Sequence, residues 1–123
     1  QDIALIDARK GLKMFEKVGV PILGIVENMA MHRCTNCGHV EHIFGHGGGE
    51  KMAAEYGVEY LGGLPLDIRI REQADSGRPT MVAEPQSDLA DRYREIARRV
   101  AVQVAVRSRD MPLKMPPIVV QNT

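Results

Sequence analysis

The run Val20-Pro21-Ile22-Leu23-Gly24-Ile25-Val26 is apolar from end to end, with no alternation between apolar and polar positions. A strand with one face in water alternates, whereas a strand covered on both faces reads as a continuous apolar run, the pattern of parallel sheets flanked by helices. Just upstream, from Asp2 to Lys17, apolar residues at Leu5, Ala8, Leu12 and Phe15 fall three or four apart and share one helical face. Gly19 follows, where a helix C-terminus favours glycine. Helix followed by buried strand is the grammar of an α/β fold, and Val58 to Leu64 is a second buried-strand candidate. Pro65 ends it, because proline has no N–H to give to a central ladder.

Two strands do not make a stable parallel sheet with both faces covered. The remaining strands are therefore expected upstream in a longer protein or from another copy of the chain. The start at Gln1, with a helical pattern from the next residue, carries the same expectation of a longer protein. Three further helices are legible: from Gly47-Gly48-Gly49 through Tyr56, closed by Gly57; from Ile68 to Ser76, capped by Asp67 and stopped by Gly77; and a long one entered at Ser87. In the last, Leu89, Tyr93, Ile96, Val100 and Val104 form one stripe, with Asp88 and Asp91 near its positive end and Arg98, Arg99 and Arg107 towards its negative end. Residues 107–123, with prolines at 112, 116 and 117, are expected to form a flexible tail.

The segment from Gly24 to Glu50 carries the chemistry. It holds both cysteines, Cys34 and Cys37, and all four histidines, His32, His39, His42 and His46. Two thiols separated by two residues turn to one side of a tight loop and supply two ligands to a soft metal or a cluster edge. Pooled across a two-fold axis, two such pairs give four sulfurs, the complement of a 4Fe-4S cluster or a tetrahedral zinc. A redox disulfide is the second reading, but Gly38-His39 follow the pair and no helix pattern begins there. The third is two small loop residues, with adventitious zinc from His39 or His42. The histidines suit surface polarity or hydrogen bonding near a metal.

Glu27-Asn28 lies just past the first strand, at the sheet edge where open α/β folds bind ligands. The Asn28 amide offers a donor beside an acceptor, matching the N6/N7 edge of adenine. Pro65-Leu66-Asp67 ends the next strand at the same edge and could wall a base pocket; from the residues alone a strand-end turn and a helix cap are the favoured explanations. Gly47-Gly48-Gly49 before a helix could expose amides to a phosphate, but it is not a P-loop, since no Lys-Ser/Thr follows, and a flexible hinge or helix entry is the expected role.

Length and composition bound the alternatives. A chain of 123 residues, 44% of them hydrophobic, fits one small globular domain. Its 16 basic and 16 acidic residues cancel, so nothing points to nucleic acid or an anionic membrane as a partner. There is no signal peptide and no apolar run of about 18 residues, which makes a cytoplasmic protein the expectation.

Several motifs occur in a fixed order: Gln1 to Gly11, I-V-E-N-M at Ile25 to Met29, C-T-N-C-G-H at Cys34 to His39, His42 to Glu50, Leu61 to Glu72, and G-R-P at Gly77 to Pro79. Together they resemble the C-terminal half of the Mrp/ApbC family of P-loop ATPases, iron-sulfur cluster carriers or scaffolds, over about residues 1–106. The resemblance implies the C-terminal part of a parallel-sheet, deviant-Walker-A P-loop NTPase fold of the MinD/nitrogenase-iron-protein class. It implies a homodimer in which Cys34 and Cys37 of each subunit bridge a labile 4Fe-4S cluster destined for apo iron-sulfur proteins. It also implies that Asn28 reads adenine while Pro65, Leu66 and Asp67 border the base and ribose. The family's Walker A loop, switch segments and Mg²⁺-binding Asp lie upstream of these residues, so ATP and Mg²⁺ belong to the full-length protein and this chain by itself should not hydrolyse ATP. His46 stands where many relatives are expected to be acidic. A zinc-held dimerisation module and a MinD-like positioning ATPase are the competing functions; the latter needs an amphipathic membrane-binding tail, which Met111 to Thr123 does not supply.

Overall fold

A computed structural model of the chain describes residues 1–110. In order, the elements are α1 (Asp2–Lys17), β1 (Gly24–Glu27), β2 (His32–Arg33), β3 (Val40–Glu41), α2 (Gly48–Tyr56), β4 (Glu59–Gly63), α3 (Ile68–Asp75), α4 (Thr80–Ala83) and α5 (Asp88–Asp110). β1 and β4 pair in parallel, with Gly24 opposite Glu59 and Glu27 opposite Gly63. The register slips between Ile25 and Val26, leaving Leu61 as the extra residue of a bulge. The chain is thus α/β with a parallel sheet, as the apolar runs predict.

Helix ends follow local chemistry. α1 closes with Gly19 N–H donating to Glu16 C=O at 3.1 Å and Val20 N–H to Phe15 C=O at 2.9 Å, the paired bonds of a Schellman motif. Asp67 caps α3 by accepting the Arg69 N–H at 2.9 Å, and Ser87 caps α5 by accepting the Ala90 N–H at 3.1 Å. α2 packs on both strands and α5 on β4. The buried core is small: Leu12, Met52, Ala53, Leu61, Leu89 and Ala90, with Ala30 at the margin.

Three expectations are corrected. The strand begins only at Gly24, so Val20 to Leu23 is apolar without being strand. Burial on both faces is not reached either: Val26 is 41% exposed, and among the described residues β1 has β4 on one edge and no strand on the other. α5 runs to Asp110, four residues into the stretch assigned to a tail, with Arg107 and Arg109 suiting the negative end of the helix in its last turn; the tail reading of 111–123 lies outside the described residues. The hairpin β2–β3 and the short α4 were not legible as elements.

Candidate functional site: the cysteine hairpin and its cavities

Past the C-terminal ends of β1 and β4 the two segments stay side by side. Leu64 N–H donates to Glu27 C=O at 2.8 Å, Ala30 N–H to Leu64 C=O at 2.9 Å, and Leu66 N–H to Met31 C=O at 2.7 Å. This seam carries the chain into β2, whose His32 bridges Leu66. β2 then pairs antiparallel with β3, Arg33 opposite Val40, and the cysteines occupy the turn between them. The cysteine loop is therefore a hairpin hung from the strand-end segment Pro65-Leu66.

Within the turn Cys34 N–H donates to His39 C=O at 2.8 Å and Gly38 N–H to Cys34 C=O at 2.9 Å. Gly38 has φ 74, the left-handed region that a Cβ disfavours, which explains glycine directly after the second cysteine. Both thiols are free; Cys34 is half-buried and Cys37 exposed. The backbone amides of Cys37 and Asn36, and the Cys37 thiol, donate towards the Cys34 sulfur and hold its pKa below the ordinary thiol value. Amides aimed at a sulfur favour the thiolate, the form that binds metal. Among the described residues no three His, Cys, Asp or Glu side chains converge into a metal site, so the chain presents two sulfur ligands and no third.

Two cavities flank the seam. One, of about 580 Å³, is walled by Cys34 and Thr35 on the hairpin side and by Pro65, Leu66 and Asp67 opposite. The other, of about 440 Å³, lies under α1 and includes Asn28, Met29 and His46. The residues expected to border one base thus open into different cavities: Pro65 to Asp67 share theirs with Cys34, and Asn28 does not join them. Asn28 Oδ1 accepts the Met29 N–H at 2.9 Å, supporting Met29 at φ 54, an uncommon conformation outside glycine.

Asp67 lines the same cavity as Cys34 and pairs with Arg69. The Arg69 guanidinium donates to Asp67 Oδ2 at 2.8 Å and reaches Glu84 at 3.4 Å and Asp88 at 3.6 Å, tying the start of α3 to the end of α4 and the start of α5. Hydrogen bonds from Arg69 hold the Asp67 carboxyl below its ordinary pKa, against the opposing effect of burial. A depressed carboxylate contributes stability that is complete above the unfolded value of about 3.9 and is lost as pH falls through the folded value. Because Arg69 is 40% exposed, screening limits the pair to about 1 kcal/mol or less. Asp67→Asn should remove that component of the loss of stability below about pH 4, read as urea midpoints against pH; an unchanged acid limb would show that Asp67 carries none of it.

The glycine run is helix entry. A Cβ at buried Gly49 would lie 3.0 Å from Glu27 Cβ and 3.1 Å from the Tyr60 ring, so the position is needed for α2 to seat on the strands. The Glu27 carboxylate fills the space beside it, accepting the Tyr60 O–H at 3.2 Å. Burial and the Glu27 charge push Tyr60 up to about 12, keeping it a donor at all working pH. Sequence reasoning did not single out His32, whose ring nitrogens are both buried with no partner among the described residues. No residue pattern marks this, since burial of a single ring is set by the tertiary fold.

Among the described residues no helix is long and apolar enough to cross a membrane. Comparison with known proteins converges on one family. The model of the ParA family, described as NUBPL iron-transfer P-loop NTPase, matches residues 1–101. An iron-sulfur cluster carrier protein of Pseudomonas fragi is 63% identical over 97 residues, 79% of this chain and 34% of that protein. The mouse iron-sulfur cluster transfer protein NUBPL is 48% identical over 100 residues, 81% of this chain and 31% of that protein. The chain thus spans about a third of the length of the curated relatives it matches. A solved nucleotide-binding protein of Archaeoglobus fulgidus, in complex with ADP, superposes with a TM-score of 0.53 at 35% identity, over 67% of this chain and 32% of that one. The motif resemblance and the family match agree, and the chain belongs to the NUBPL iron-transfer P-loop NTPase family.

Proposed function

We propose that this chain is the cluster-holding portion of an iron-sulfur cluster carrier. Cys34 and Cys37 of two subunits would together hold a 4Fe-4S cluster as cargo across a homodimer interface and release it to apo iron-sulfur proteins. The observation that carries this reading is the hairpin: two free thiols at its turn, amides directed at the Cys34 sulfur, and no third ligand among the described residues. Relatives named as cluster carrier and cluster transfer proteins support the same cargo. Two thiolates per subunit also make the cargo labile, because a recipient's cysteines can replace one subunit's pair without unfolding either chain. In the complete protein, ATP binding and hydrolysis would alter the dimer geometry and with it the exposure of the bridged cluster.

Anaerobic reconstitution of the complete protein with iron and sulfide tests this. About four iron and four sulfide per dimer are expected. One tightly held zinc per dimer without iron uptake would instead establish the structural zinc module. For the nucleotide, Asn28 is proposed to read adenine, with Pro65, Leu66 and Asp67 bordering base and ribose once the Asn28 amide leaves Met29. Asn28→Ala in the complete protein should weaken ATP binding about tenfold, the value of one lost hydrogen-bonding amide; unchanged affinity in a nucleotide titration removes the assignment.

A further inference from the structure

His42 and His46 stand outside the cysteine hairpin, and neither the cluster nor the nucleotide reading uses them. Their ring centroids lie 4.5 Å apart with an interplanar angle of 71°. The loop doubles back to bring them together: Gly45 N–H donates to His42 C=O at 3.1 Å, and Gly45 sits at φ 92 between them. His42 Nδ1 lies 2.8 Å from the Ala30 carbonyl oxygen. A carbonyl only accepts, so Nδ1 carries a proton, and in the neutral ring that leaves the lone pair on Nε2. A backbone carbonyl on one ring nitrogen is the arrangement that orients a histidine to ligate metal through the other. Both histidines face solvent, which gives a cation an entry path and water to complete its shell. Neither forms an ion pair among the described residues, although His46 shares a cavity wall with Asp2 and Glu27.

We propose that His42 and His46 form a second cation site, separate from the cysteines, that takes a borderline-soft divalent ion such as Zn²⁺ through their two imidazoles. The spacing suits it: nitrogens at about 2.1 Å from a shared zinc put two imidazole centres roughly 4.5–5.5 Å apart. The composition suits it too, since imidazole selects zinc, nickel and copper over magnesium and calcium. A bound ion would pin loop 42–46 to the Ala30 carbonyl, at the base of the seam that carries the cysteine hairpin.

The proposal does not rest on the cluster reading, and the test keeps them apart. Zn²⁺ alone is titrated calorimetrically into the complete protein carrying Cys34→Ser and Cys37→Ser, with and without His46→Gln. The His46 ring makes no hydrogen bond among the described residues, so its loss should leave the fold intact. Removing an outer-shell partner already weakens metal binding about 10–100-fold, so removing a ligand should cost at least roughly tenfold. Indistinguishable isotherms, or no zinc binding once the cysteines are gone, would overturn the site. If the serine variant does not fold, imidazole ¹⁵N shifts in the unmodified protein decide: zinc should move the His42 and His46 signals together, and unmoved signals reject ligation.

Discussion

Replacing Cys34 or Cys37 by serine should abolish iron-sulfur uptake by the complete protein and leave its fold in place. In a two-fold arrangement each substitution removes two of four sulfurs at once, and serine's hydroxyl cannot supply the thiolate that the amides around the Cys34 sulfur favour. The turn does not depend on the thiols: its closing bonds run between backbone groups of Cys34, Gly38 and His39. Stability should therefore change by no more than about 0.5 kcal/mol at exposed Cys37 and by about 1 kcal/mol at most at half-buried Cys34. Iron and sulfide per dimer, with the unfolding midpoint measured on the same samples, check both halves. A full iron complement in either variant would sink the carrier reading.

Gly24→Ala should be the most damaging single-methyl change in the sheet. A Cβ at Gly24 would stand 2.5 Å from the Glu59 carbonyl oxygen and 2.7 Å from Leu61 Cγ. The Leu61 side chain is buried in the core, and the Glu59 carbonyl belongs to the strand paired with β1, so neither yields without opening the β1–β4 ladder. Overpacking of this kind costs about 1–3 kcal/mol. Gly11→Ala is the matched control: it lies inside α1, its Cβ would meet nothing within 4 Å, and the helix should gain about 0.5–1 kcal/mol. Denaturant midpoints of the two variants in the complete protein should move in opposite directions. If Gly24→Ala matches the parent, β1 and β4 do not approach each other this closely at Gly24.

What residues 1–110 disclose in advance is whatever is written in neighbouring residues. Asp67 and Ser87 cap helices because their side chains reach amides two or three positions on, and Gly19 closes α1 because the left-handed conformation is a property of one residue. The Cys-x-x-Cys pair is legible for the same reason, since its spacing alone brings the two sulfurs to one turn.

Tertiary structure decided the rest. The apolar run at Val20 to Leu23 looks like strand, but a strand exists only where a partner offers its backbone, and β4 meets the chain first at Gly24. Two-residue strands such as His32–Arg33 and Val40–Glu41 are too short to show a period; they form because Leu66 fixes one of them. Sequence placed Asn28 and Pro65 to Asp67 at one sheet edge, whereas the folded chain has them lining separate cavities, with Asp67 and Cys34 in the wall of the same one. Local chemistry is encoded within a few residues, while the β1–β4 pairing, the His32–Leu66 bridge and the sharing of a cavity by Cys34 and Asp67 depend on groups that lie thirty or more positions apart.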